Sequence, residues 1–209
     1  MNVLAIGAHF DDIELGCAGA LARHIKNGDK VTVFVATKSG YTGANNAVIR
    51  SDEEAKSEGE KACEILGADL VCGGFETLAL EFTDELNLML VELIASKKID
   101  LIYTHFSGDV HHDHKALAKA SLHAGRHVPS ILQYHSNWYQ SEESFDANFY
   151  VDISDTWEVK EKMLKAHESE FARAGEKWLK FFRNEAQNNG FKCGVNLAEG
   201  FHTVKYCIK

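Results

Sequence analysis

No apolar run in this sequence approaches the ~20 residues a membrane-crossing helix needs. No excess of positive charge exists either. Lys and Arg number 22 against 31 Asp and Glu, for a net charge of −9 and a pI near 5.6. That balance argues against a nucleic-acid partner, since phosphate binding needs a clustered positive surface. The five cysteines (Cys17, Cys63, Cys72, Cys193 and Cys207) form no close-spaced pair and are odd in number. They read as reduced thiols of a cytoplasmic protein rather than a disulfide framework. The first apolar segment begins almost at Met1. No charged stretch and apolar core precede it, so a secretory signal is not expected. Repeats, low-complexity tracts and linkers are also missing.

What is present is an alternation. Short continuous apolar runs at 3–6, 31–36, 70–72 and 101–103 suit strands buried on both faces. Helical patterns at 15–25, 52–66, 84–95 and 115–126 separate them. This predicts an α/β fold, a Rossmann-like three-layer sandwich with a mostly parallel sheet and helices on both faces. The 209 residues are expected to form one domain. Ser51 with Glu54 resembles a capping box, Thr83 is expected to cap the third helix, and Gly28 and Gly67 read as helix stops. After Pro129, strands are expected at 131–134 and 149–153, and a helix capped by Asp155 runs to about 173. A further helix carries Trp178, Phe181 and Phe182. Alternation over 203–209 predicts a half-buried strand at a sheet edge, with lysines discouraging further pairing.

Two segments carry chemistry. Ala8-His9-Phe10-Asp11-Asp12-Ile13-Glu14 follows the first strand, where open α/β sheets place ligands. In a tight turn, His9 and Asp12 can converge as metal ligands. Asp11 points elsewhere and stays free as a general base. The plainer alternative is that Asp11, Asp12 and Glu14 only cap the helix and offset its dipole. The second segment, His105 to His114, ends the strand at 101–103 and packs Asp109, His111, His112, Asp113 and His114 into six residues. Turn chemistry does not call for three histidines. His114 can complete a two-histidine, one-carboxylate set with His9 and Asp12, leaving a fourth position open as catalytic zinc sites do. Asp109 or Asp113 can hold the far nitrogen of a ligand histidine, or orient His111. His112 is expected to face solvent. His123 and His127 imitate a zinc helix but lack its glutamate.

These segments resemble the PIG-L/LmbE-type zinc-dependent de-N-acetylases. That family carries A-H-P-D-D-x-E after its first strand and D-x-H-x-D-H further on. Here the second reads Asp109-Val110-His111-His112-Asp113-His114. Ala166-His167-Glu168-Ser169 and Ala198-Glu199-Gly200-Phe201 resemble two further family stretches. The resemblance implies metal ligands at His9, Asp12 and His114. It implies Asp11 as the base, and His111 as the group that stabilises the oxyanion or protonates the leaving amine. It also implies that Arg50 binds substrate. The implied metal is Zn2+, with Fe2+ able to share the ligands. The implied substrate is a small N-acetylated sugar, and homo-oligomers are left open. Phe10 stands where the family has proline, which would fix φ in that turn.

Two rivals share these residues. A two-histidine, one-carboxylate set also describes non-haem iron oxygenases. A non-catalytic sugar- or metal-binding protein can be built on the same fold. For the rim of the site, Ser39, Tyr41, Asn45 and the stretch Ser136-Asn137-Trp138-Tyr139 are the pocket candidates.

Overall fold

The computed structural model describes residues 1–208. The chain opens with β1 (Asn2–Gly7), turns into α1 (Asp12–Gly16) and α2 (Ala18–Lys26), and returns as β2 (Lys30–Thr37). A small antiparallel hairpin follows, of β3 (Tyr41–Thr42) and β4 (Val48–Arg50). Then come α3 (Asp52–Leu66), β5 (Asp69–Phe75), α4 (Asp84–Lys97), β6 (Leu101–His105) and α5 (His112–Ala124). The last third holds β7 (Ser130–Tyr134), β8 (Phe149–Asp152), α6 (Trp157–Ala166), α7 (Glu168–Ala174), α8 (Glu176–Cys193) and β9 (Ala198–Lys205).

The seven-stranded sheet runs β5-β2-β1-β6-β7-β9-β8. The first five in that order pair in parallel, and β9 pairs antiparallel to both β7 and β8. Alternate side chains of each central strand enter opposite layers, as the two-residue period of a strand requires. Val3, Ala5, Val33, Tyr103 and Leu132 pack with Leu21, Ala62 and Met163 on one face. Leu4, Ile6, Phe34, Ile102 and Ile131 pack with Leu86, Leu90 and Leu117 on the other. The expected three layers form, and β1, β2, β6 and β7 are buried parallel strands. β5, expected from 70–72 to be buried on both faces, is instead the edge strand, with Leu70 and Val71 only half-buried and Cys72 exposed.

The expected helix boundaries hold best where caps are readable. Ser51 Oγ accepts the Glu54 N–H at 3.1 Å, and Thr83 Oγ1 accepts the Leu86 N–H at 3.3 Å. Gly67 closes α3 at φ 78°, in the left-handed region that favours glycine. Three further expectations are corrected. The first helix is not continuous over 15–25 but breaks at Cys17, whose φ is −147°. There Gly16 lies against the Tyr134 ring, where a Cβ would sit 2.1 Å from a ring carbon. Asp155 does not cap α6. It is exposed and pairs with Arg23 and Lys26, and the helix behind it ends at Ala166, with His167 separating it from α7. The C-terminal strand begins five residues earlier than expected and lies between β7 and β8, so β8 forms the edge. Lys209, included in that expectation, lies outside the described residues.

β9 starts earlier because Ala198 to Phe201 pair with Asp152 to Phe149 of β8, and Glu199 lies in that added stretch. Glu199 accepts the Gly19 and Ala20 N–H groups at the start of α2, at 3.0 and 2.7 Å, and the buried Lys160 ammonium at 2.6 Å. A backbone-bound, ion-paired carboxylate on the strand ties β9, α2 and α6 together. All five cysteines are unpaired, and no helix among the described residues is long and apolar enough to cross a membrane.

Candidate active site

Sheet order reverses direction between β1 and β6, which neighbour each other although four strands separate them in sequence. Ligands in open α/β sheets lie outside the carboxyl ends of strands at such a switch point. The two motif segments leave the sheet there.

The turn after β1 is strained. Asp11 has φ 134° and ψ −25°, a conformation L-residues avoid at a cost of about 1–3 kcal/mol. Its neighbours hold it there. The His9 N–H is fixed by Asp12 Oδ2 at 2.7 Å, the Phe10 N–H by Ser39 Oγ at 3.0 Å, and the Phe10 carbonyl by Arg50 Nη1 at 2.9 Å. Phe10 therefore uses a backbone donor that proline lacks. Its ring is buried against Gly59 of α3, where a Cβ would meet it at 2.1 Å. Asp11 makes no capping bond to α1. The helix-cap alternative thus does not account for it.

His9, Asp12 and His114 converge. His9 Nδ1 lies 3.3 Å from Asp12 Oδ2, His114 Nε2 lies 3.1 Å from Asp12 Oδ1, and the two ring nitrogens are 3.4 Å apart. Each histidine is braced from behind. His9 Nε2 meets Asp113 Oδ2 at 2.8 Å, and His114 Nδ1 meets Asp109 Oδ2 at 3.0 Å. Asp113 is itself held by the Leu78 and Leu80 N–H groups, and Asp109 by the His111 N–H and the Asn137 amide. Carboxylate–histidine pairs of this kind fix the ring and its tautomer for a metal. Burial opposes protonation of His9. The Asp113 and Asp12 hydrogen bonds and the charges of Asp12 and Asp11 outweigh it and push His9 up to about 10. His114 rises to about 9, against burial, mainly through Asp12 and Asp109. This carboxylate-rich cluster calls for positive charge, and its donor set of two imidazoles and a carboxylate fits a divalent cation.

Two other histidines border the cluster. His105, fully buried at the end of β6, stacks on His114 with ring centroids 3.9 Å apart. Its Nε2 lies 3.2 Å from Asp12, so Asp12, His105 and His114 form a second possible ligand group, as do His9, His111 and His114. The Nε2 lone pair of His105, however, accepts the Ala8 N–H at 3.0 Å. His111 accepts the Asp113 N–H on Nδ1 at 3.2 Å and lines the cavity. Burial and the adjacent His114 and His9 lower it to about 4, in spite of Asp12 and Asp113. A neutral ring accepting on Nδ1 carries its proton on Nε2, which makes His111 a donor.

Asp11 lines the same cavity. Burial, then Asp12, raises it to about 7, while Arg50 and His167 oppose. Arg50 is buried and mostly committed. Besides the Phe10 carbonyl it binds Glu58 at 2.7 Å and His167 Nδ1 at 3.1 Å, leaving Nε without a partner among the described residues. Its bonds brace the turn, and its side chain also borders the cavity.

The cavity holds about 210 Å³. Ser39, Tyr41, Ser136, Asn137, Trp138 and Tyr139 line it as expected, and Asn45 does not. His112, His123 and His127 are exposed and apart from it. Sequence reasoning gave no role to His105, to Asn137 as a brace for Asp109, or to Glu170, Arg173 and Trp178 on the wall. His105 was signalled by its place at a strand end. The wall residues lie on α7 and α8, distant in sequence from both motifs.

The sequence model described as PIG-L: GlcNAc-PI de-N-acetylase matches residues 4–125. An Escherichia coli (strain K12) protein described as uncharacterized deacetylase YaiS is 33% identical over 184 residues, spanning 80% of this chain and 91% of that one. Diacetylchitobiose deacetylase of Thermococcus kodakarensis is 25% identical over 225 residues, 97% of this chain and 83% of that protein. The solved N,N'-diacetylchitobiose deacetylase of Pyrococcus horikoshii shares the fold, with a TM-score of 0.82 at 22% identity over 97% of this chain and 83% of that one. Both motif segments, and with them His9, Asp11, Asp12 and His114, lie inside the matched span: the chain belongs to the PIG-L family.

Proposed function

We propose that this chain is a metal-dependent hydrolase that removes the acetyl group from an N-acetylated amino sugar. The observation that carries this reading is the convergence of His9, Asp12 and His114 within 3.4 Å, with Asp11 on the same cavity but outside that cluster. The names of the E. coli and Thermococcus relatives support deacetylation, and the latter an N-acetylated sugar.

His9 Nδ1, Asp12 and His114 Nε2 would hold the metal, zinc or ferrous iron. When bound, such an ion acidifies water and polarises a carbonyl. Asp11 takes the proton from the attacking water, whose oxygen adds to the acetamido carbon. The Nε2–H of His111 points its dipole at the developing negative charge on the acetyl oxygen. Asp11 then passes that proton to the nitrogen, the carbon–nitrogen bond breaks, and acetate and the free amine leave. Asp109 and Asp113 keep the ligand rings in place, and Arg50 fixes the turn that aims Asp11. Arg50 also borders the cavity, where it would stand beside bound substrate.

The test is a screen for acetate and free amine release by the zinc- and iron-loaded protein across N-acetyl sugars, nucleotide sugars and glycosides. Equimolar acetate and amine are expected from at least one class. No release from any of them overturns the reading.

A further inference from the structure

Between Leu86 and Ala95 of α4, only Asn87 and Glu92 are polar. A run this apolar suits a helix covered on all sides. Here α4 covers one face of the sheet, through Leu86 and Leu90, and its outward side is left in water. Leu88 is 61% exposed and Val91 39%, and Ala95 is exposed beyond them. At 3.6 residues per turn, Asp84, Leu88, Val91 and Ala95 fall within roughly 60° of one another. Lys98, the C-cap, closes that stripe. The stripe is thus acidic at its start, apolar in its middle and basic at its end. Lys97 points elsewhere and pairs with Asp69 at 2.9 Å. Asp84 and Lys98 are exposed and form no ion pair among the described residues.

We infer that α4 is the seam of a two-fold dimer, in which it lies antiparallel against α4 of a second copy of this chain. A two-fold contact has to be self-complementary. Asp84 and Lys98 each lie seven residues from Val91. With Val91 on the axis, Asp84 therefore faces the partner's Lys98 at both ends of the seam, and Leu88 meets the partner's Ala95. A shallow crossing angle, about 20°, keeps both ends within reach. Parallel pairing would instead set Asp84 on Asp84 and Lys98 on Lys98. A lipid surface is a poor occupant, because Asp84, Glu85 and Glu92 border the stripe and repel anionic headgroups. The seam uses no residue of the active-site cavity, so the inference stands apart from the deacetylase reading.

Sedimentation equilibrium of the full chain over about 1–100 µM reads the association, since one helix pair about 21 Å long suits a weak dimer. Wild type is expected to dimerise in that range. Leu88→Glu should weaken dimerisation at least about tenfold by placing charge in the middle of the seam. Asp84→Lys and Lys98→Asp should each weaken it about tenfold, because each sets like charges together at both ends. Mixed in equal amounts, those two variants should form a heterodimer about as tight as the wild-type dimer, since opposite charges then meet at both ends. All three substituted side chains are exposed in the single chain, so urea midpoints should stay near wild type. A wild-type chain that stays monomeric throughout overturns the inference. So does an assembly whose mass Leu88→Glu leaves unchanged, or a mixture of the two charge variants that associates no better than either alone.

Discussion

His9 Nε2 and the Asp113 carboxylate lie 2.8 Å apart although 104 residues separate them, and the same carboxylate holds the Leu78 and Leu80 N–H groups. One side chain thus orients a proposed ligand from the β1 turn and pins the loop that leads to α4. Asp109 does the matching work for His114.

Removing that brace should loosen the metal without removing a ligand. Asp113→Asn is expected to weaken zinc affinity by about 10–100-fold, the usual effect of losing such a partner. Competition with a chelator of known affinity measures it. Unchanged affinity in both Asp113→Asn and Asp109→Asn would contradict the roles given to these carboxylates.

Phe10 and Gly59 are coupled by contact. Phe10→Pro removes the donor to Ser39 and empties space beside α3, and should cost about 3 kcal/mol. Gly59→Ala alone should also destabilise, because its Cβ meets the Phe10 ring. In the Phe10→Pro background the same alanine has room, so its cost should fall sharply. Urea unfolding of the two single variants and the double variant checks this, and simple additivity would refute the contact.

Glu58 sets a pH dependence of stability. Burial works against its ionisation, but the Ser169 N–H and hydroxyl and the Arg50 guanidinium outweigh burial and hold its carboxyl below the ordinary 4.5. A carboxylate lowered on folding stabilises the fold above its unfolded value, and that stability is lost as pH falls through the lower folded value. Glu58→Gln should therefore cost about 2 kcal/mol at pH 7. The gap to wild type should close below pH 4.5. Chemical denaturation across pH 3–7 measures it, and a gap independent of pH would rule out this linkage.

Much of this was legible in the sequence for definite reasons. The strands of the parallel sheet are continuous apolar runs, and each puts alternate residues such as Leu4 and Ala5 into opposite cores. The ligand candidates follow directly on two such strands. Other features depend on contacts that no local pattern records. At the break before Cys17, Gly16 lies against the Tyr134 ring, and β9 sits inside the sheet because it pairs with both β7 and β8, with Glu199 reaching α2 and Lys160. Arg50 was expected at the substrate, yet most of its donors hold the Phe10 carbonyl, Glu58 and His167. The Tyr41–Glu170–Arg173 wall joins a hairpin to α7 across 129 residues, and nothing in either segment announces the other.

The central claim is that His9, Asp12 and His114 hold the metal while Asp11 moves the proton. Metal content and turnover of one Asp11→Asn preparation test it most directly. The account predicts one metal ion per chain, as in wild type, with acetate release from the best substrate reduced at least about 100-fold. Loss of the metal, or turnover close to wild type with the metal in place, would contradict it.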